Sequence, residues 1–147
     1  MSLYKPNFEE LDLLTNRGLL RKVTSSCGNL VLYNYTDQCT FERLWNEHTI
    51  NSRGTVYEVS TGKLVARAFP KFFNFSELSE NKQKEILNSK YFNTYEKLDG
   101  SLGIIYFYDG EWRVNTRGSF SSDQAIKGKE LLDKLDTSQL FKELTIS

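Results

Sequence analysis

Tyr95-Glu96-Lys97-Leu98-Asp99-Gly100-Ser101-Leu102-Gly103 stands between two runs rich in aromatic and β-branched residues. Tyr91 to Lys97 reads as a strand that ends in the lysine, and Gly103 to Tyr108 reads as a second strand that leaves at once. This order predicts that Lys97 sits where a strand ends and points into a cleft. Gly100 would let the main chain pass close to a ligand with no Cβ in the way. Lysine is one of the few side chains able to attack phosphorus or carbonyl carbon, once its amine is neutral. Lys97 is therefore the candidate nucleophile. The same letters also fit an ordinary hairpin, in which Asp99-Gly100 is a turn and Lys97 a solvated residue beside it.

Outward from this stretch, the pattern is one of short strands joined by turn residues. Gly103 to Tyr108 and Glu111 to Arg117 flank Asp109-Gly110, the strongest hairpin signal in the chain. Thr55 to Val59 and Lys63 to Ala68 flank Ser60-Thr61-Gly62, and Leu19 to Thr24 and Leu30 to Tyr35 flank a loop containing Gly28. Helices are predicted over Asn7 to Asn16, with its acidic residues early and Gly18 just past its end, and over Thr40 to Glu47, followed by His48. Three more follow: a surface helix over Ser79 to Ser89, one capped by Ser121-Ser122-Asp123, and a last one from Thr137 through Leu144. The expected fold class is α+β, an antiparallel β-sheet core with flanking helices, in one domain spanning 1–147.

Composition bounds the function. The chain has 147 residues, 39% hydrophobic and 26% charged, which fits a globular domain with a real core. No run approaches the roughly eighteen apolar residues of a membrane span, and Met1 to Glu10 lacks the apolar core of a signal peptide, so the cytoplasm is the expected location. Cys27 and Cys39 have neither metal-site spacing nor histidine company and read as free thiols. Nineteen basic and nineteen acidic residues cancel. That balance argues against non-specific coating of nucleic acid and leaves room for a local basic cleft. The ten Phe, eight Tyr and two Trp fall mainly in the strand-like runs, which suggests a β core first and base-stacking surfaces second.

Lys97-Leu98-Asp99-Gly100 resembles motif I, KxDG, of the covalent nucleotidyltransferases, the superfamily of ATP-dependent ligases and mRNA-capping enzymes. Alone the tetrapeptide is weak. Arg53-Gly54 with its hairpin, Lys71-Phe72-Phe73-Asn74, Thr116-Arg117-Gly118-Ser119 and the Ser-Asp-Gln-Ala start of the next helix add order and spacing. Together they resemble the N-terminal half of ATP-dependent RNA ligases of the T-even-phage tRNA-repair type, from about Leu30 to Leu135. DNA ligases usually carry an arginine two residues beyond the motif glycine, where Leu102 stands here.

This resemblance implies the N-terminal half of a nucleotidyltransferase (ATP-grasp-like ligase) adenylation domain. It also implies a chemistry: the motif lysine takes AMP from ATP with Mg²⁺, AMP passes to an RNA 5′-phosphate, and a 3′-hydroxyl then displaces it. Lys97 would be the nucleophile, with Arg53 and Lys71 on the ATP phosphates and Phe73 packed near the nucleotide. Gly100 would allow close approach of the ribose, and Glu96 would sit beside the adenine. Arg117 would replace a family lysine, keeping the charge in a bidentate group that cannot be neutral. None of these residues is a metal ligand.

Each also has a plainer reading. Arg53 or Lys71 could be a solvated charge, one or more of Phe72, Phe73 and Phe75 could be core, and His48 is structural. The family's later motifs, a Glu-Gly segment and a Lys-x-Lys strand among them, do not follow, so the chain reads as a part expected to adenylylate poorly alone. Its implied partners are RNA ends, tRNA included, ATP, and the C-terminal half of the ligase, with no membrane. The alternative function is a non-catalytic nucleotide- or RNA-binding module of the same fold.

Overall fold

Leu30–Tyr35 (β2) is buried at every position, which requires cover on both faces of one strand. In the computed structural model, which describes residues 4–137, β2 is a central strand of a four-stranded antiparallel sheet. Leu20–Thr24 (β1) pairs with it so that Leu20 faces Tyr35 and Thr24 faces Val31. On its other side lies Arg53–Glu58 (β3), with Leu32 opposite Val56, and Leu64–Ala66 (β4) closes the order β1-β2-β3-β4.

Alternation along β2 sorts the core into two layers. Val31, Tyr33 and Tyr35 point to one face, where they meet Leu11 and Leu14 of the helix Phe8–Asn16 (α1) and Tyr57 of β3. Leu30 and Leu32 point to the other, where they meet Val56, Ala66, and Ile104 and Tyr106 of Ile104–Tyr108 (β5). That second cover is a separate two-stranded sheet, β5 paired with Glu111–Asn115 (β6). Asp109 and Gly110 both have positive φ, 53° and 80°, the left-handed pair a tight two-residue hairpin turn needs. Each apolar side chain fully buried in these layers contributes about 1.5–3 kcal/mol relative to an exposed one.

Helix ends follow local chemistry. Asn7 accepts from the backbone N–H of Glu9 and Glu10 and starts α1, Ser79 caps Glu80–Leu87 (the fourth helix below), and Ser122 caps Asp123–Leu132 (the fifth). The predicted helix over Thr40 to Glu47 is corrected to two single-turn helices, Asp37–Phe41 (α2) and Glu47–Asn51 (α3). Thr36 caps the first and Asn46, in a capping box with Thr49, the second; Arg43 between them has φ +53°, which breaks any continuous helix. His48 thus lies within α3 and bonds through Nδ1 to the Tyr4 hydroxyl at 2.8 Å. The surface helix Glu80–Leu87 (α4) and the helix Asp123–Leu132 (α5) lie where the sequence placed them. Ala125 and Leu132 of α5 are buried, and Gly128 allows it to approach β6 so closely that a Cβ would stand 3.0 Å from Val114 Cγ1.

The strand expected over Tyr91 to Lys97 does not form. Residues 90–99 belong to no ladder, and Tyr91, Phe92 and Tyr95 are 80–90% exposed. Alternating aromatics make a strand possible, but a strand needs a neighbour to bond, and this segment enters neither sheet. The last expected helix, through Leu144, lies outside the described residues.

Candidate active site

The site begins at an irregularity in the sheet. Opposite Tyr33 and Asn34 the β2–β3 register shifts by a residue, so that Asn34 faces Arg53 and Gly54 is accommodated as the extra residue. Gly54 has φ +72°, and a Cβ on it would stand 2.6 Å from Ile104 Cδ1 and 2.9 Å from Arg117 Cα. Glycine is therefore needed here for two reasons, the left-handed backbone and the crossing of the Arg117 main chain over it. The crossing brings two remote charges, Arg53 and Arg117, to one end of the sheet.

Aromatic rings then fix the cations. The Arg117 guanidinium lies 5.2 Å from the centre of the Tyr35 ring and donates to the Tyr35 hydroxyl at 3.0 Å. Tyr35 meets Trp45 edge-on at 5.1 Å, and Trp45 meets Phe73 edge-on at 5.5 Å. Lys71 Nζ closes the row, 4.5 Å from Phe73 and 5.5 Å from Trp45, and donates to the Phe72 carbonyl at 2.6 Å. Arg53 stands over Phe72 at 5.2 Å and donates to the Phe69 carbonyl at 3.3 Å. Each cation–ring contact contributes on the order of 0.5–2 kcal/mol, enough to hold a long side chain in place without neutralising it. Among the described residues, Arg53, Lys71 and Arg117 have no carboxylate partner.

A cleft of about 630 Å³ opens beside this frame. Arg21, Arg53 and Arg117 line it, with Gly100, Ser101, Leu102, Thr116 and Ser122, and none of its lining residues is acidic. Unpaired charges of one sign in a concave, partly desolvated place focus potential toward an anionic ligand. A second concavity, of about 560 Å³ between the β1–β2 turn and α5, contains Cys27, whose thiol is held below its usual range by the Ser25 hydroxyl first and by Arg113 in part. Glu111, Glu130 and Asp133 line that one beside Arg113 and Lys129, so it has no single sign of charge.

The structure therefore brings together Arg53, Gly100 and Arg117 in the cleft, and Lys71 and Phe73 on the ring row beside it. It does not bring Lys97 or Glu96 in. Lys97 does not point into the cleft as its place in the sequence suggests; its side chain is 75% exposed and stands 3.8 Å from Asp99. Glu96 is exposed as well. The reason is the missing strand, since without a ladder nothing aims the side chains that precede Gly100. Of the three phenylalanines, Phe72 and Phe75 are exposed and Phe73 is half-buried against Trp45, so none is fully core. Among the described residues no group of three or more His, Cys, Asp or Glu is placed to hold a metal.

Sequence reasoning missed Tyr35, Trp45 and Arg21. Trp45 is the one large aromatic in the polar connection Arg43–Asn46, an available sign, but its pairing with Tyr35 and Phe73 spans loops that no local pattern predicts.

The RNA ligase family model matches residues 51–146, which take in Arg53-Gly54, the Lys71 segment, Lys97–Gly100 and Arg117. The chain belongs to the RNA ligase family. A protein of Autographa californica nuclear polyhedrosis virus named "Putative bifunctional polynucleotide kinase/RNA ligase" is 40% identical over 99 residues, 62% of this chain and 14% of that protein. An RNA ligase of Rhodothermus phage RM378 is 25% identical over 130 residues, 73% of this chain and 29% of that protein. The matches thus span 14% and 29% of these two relatives' lengths. No helix among the described residues is long and apolar enough to cross a membrane.

Proposed function

We propose that this RNA ligase family member is the N-terminal, nucleotide-facing portion of an ATP-dependent adenylation domain that seals RNA ends. The observation that carries the reading is the row of cations held on rings beside an acid-free cleft: Arg117 on Tyr35, Lys71 on Phe73 and Trp45, Arg53 on Phe72. Phosphoryl transfer asks little covalent chemistry of a protein and much positioned positive charge, which is what such a frame supplies. The relatives' names support RNA as the substrate.

In this reading Arg53, Lys71 and Arg117 hold the ATP phosphates, Phe73 packs near the nucleotide and Glu96 lies beside the adenine. Gly100, which has φ +139° and no atom within 4 Å of an added Cβ, leaves room for the ribose. The neutral Lys97 amine attacks the α-phosphorus, its nitrogen–phosphorus bond forming as the bond to pyrophosphate breaks and the amine sheds its proton to solvent. An oxygen of an RNA 5′-phosphate then displaces the lysine from AMP, and a 3′-hydroxyl displaces AMP as the phosphodiester forms. Mg²⁺, when bound with the nucleotide, would supply further charge stabilisation on the phosphates. Lys97 must turn from solvent toward the cleft that Gly100 and Ser101 already line.

A second reading is favoured by one observation, the 75% exposure of Lys97. Here the chain binds nucleotide or RNA without reacting. Intact mass after incubation with ATP and Mg²⁺ separates the two: one added AMP, absent in Lys97→Ala, is expected of the ligase reading. No gain in either protein, with ATP still bound, leaves the binding module.

A further inference from the structure

We propose that Phe69, Phe72 and Arg21 form a landing track for single-stranded RNA at the mouth of the cleft, with bases stacking on the two rings and a backbone phosphate on the guanidinium. The inference rests on the reading of this site as an RNA ligase's; that reading leaves Phe69 and Arg21 without a role and uses Phe72 only as the ring beneath Arg53.

The two rings are where core chemistry cannot explain them. Phe69 is 81% exposed and Phe72 53% exposed, on either side of Pro70 and Lys71. Exposed rings are usually mobile, but these sit on a fixed main chain. The Lys71 N–H donates to the Ile50 carbonyl at 2.9 Å, Arg53 donates to the Phe69 carbonyl, and Lys71 donates to the Phe72 carbonyl. Stacking on a pre-ordered ring costs little conformational entropy, which favours it over a flexible one.

Arg21 supplies the charge. On β1 it stands opposite Asn34, which faces Arg53 across β2's other edge, and both arginines line the cleft. Arg53 and Arg117 are committed to rings and hydrogen bonds, whereas Arg21 is exposed and, among the described residues, has no carboxylate within ion-pair reach. Arg53, lining the cleft and standing over Phe72, makes the track continuous with the nucleotide cleft. A cation beside fixed, exposed rings is the arrangement that binds single strands, phosphate by charge and base by stacking. A protein partner would cover the rings equally well but would leave Arg21 and its acid-free surroundings without a match unless it were acidic, so RNA is the occupant the charge favours.

The test is fluorescence anisotropy of a labelled, 5′-phosphorylated single-stranded RNA against the full chain. Phe69→Ala is expected to weaken binding at least about fivefold and Phe69→Trp to retain it. A strand of the same length without bases should bind wild type and Phe69→Ala alike, and Arg21→Gln should reduce the salt dependence by roughly one phosphate's worth. Phe69 and Arg21 are exposed, so neither change touches the core. Equal RNA affinity for all these proteins, an equal loss for the baseless strand, or no binding by wild type would overturn the proposal. Lys97→Ala keeps the two readings apart: it should end AMP transfer and leave RNA affinity unchanged, so failure to form the AMP adduct would not disturb a ring-dependent RNA affinity, nor the reverse.

Discussion

At the scale of single residues, the geometry turns on Gly54, where a Cβ has no room on two sides. Gly54→Ala would force a left-handed conformation on alanine and press it against Ile104 and the Arg117 backbone. The expected loss is about 1–3 kcal/mol of stability, read as a lower urea midpoint, with weaker ATP binding because Arg117 moves. Trp45 is tested differently, since it touches no proposed ligand. It carries Lys71 on one side and Tyr35 on the other. Trp45→Ala should weaken ATP binding by roughly five- to thirtyfold, the value of one or two cation–ring contacts, while Trp45→Phe should recover much of it. Unchanged ATP affinity in Trp45→Ala would remove the ring row from the account of the site.

At the scale of elements, β2 is the strand whose loss the fold can least accommodate. Leu32 has 0% exposure between β1, β3 and the β5 hairpin, and Leu32→Ala is expected to cost about 2–5 kcal/mol in chemical denaturation. The Ser122 cap, whose hydroxyl accepts from the Ala125 N–H at 3.3 Å, should cost only about 1 kcal/mol on Ser122→Ala. This contrast tracks what the sequence could convey. Hairpins and caps are local, so alternation about Asp109-Gly110 and a serine before an acidic first turn were enough to place β5, β6 and α5. The failures concern partners. Tyr91 to Lys97 alternates as a strand does, yet no pattern within it states whether a neighbour exists to bond it. In the same way the motif segments pointed to Arg53, Lys71 and Arg117, but the rings that hold them come from Tyr35 and Trp45, and Arg117 lies 82 residues from the tyrosine it bonds. The break between α2 and α3 was lost because it rests on a left-handed Arg43, a residue type with no preference for that conformation.

At the scale of the whole molecule, the sheet has a core on each face and each contains a buried tyrosine. Tyr57 on the α1 face and Tyr106 on the hairpin face are each pushed up to about 12 from 10.0, chiefly by burial. The unfolded chain would give up these protons first. Stability should therefore hold below pH 10 and fall as pH rises toward 12, and replacing Tyr57 and Tyr106 by phenylalanine should flatten that fall in chemical denaturation. An unchanged alkaline fall in the double variant would show that these two buried tyrosines do not set it. The sharper question is how this well-packed body relates to the segment that contains Lys97. Residues 90–99 have no ladder hydrogen bonds, and their aromatic side chains lie in solvent, so their amides should exchange with deuterium nearly as fast as in a free peptide while those of β2 stay protected. The proposed reaction requires the same segment to close on the cleft, and closing must reduce exchange. ATP should therefore slow exchange over residues 90–103 and leave β2 unchanged, and the effect should weaken in Arg117→Ala, which lacks a proposed phosphate contact. ATP that binds the cleft without slowing this segment would mean that Lys97 does not reach the nucleotide in this chain, and the binding-module reading would then account for the site.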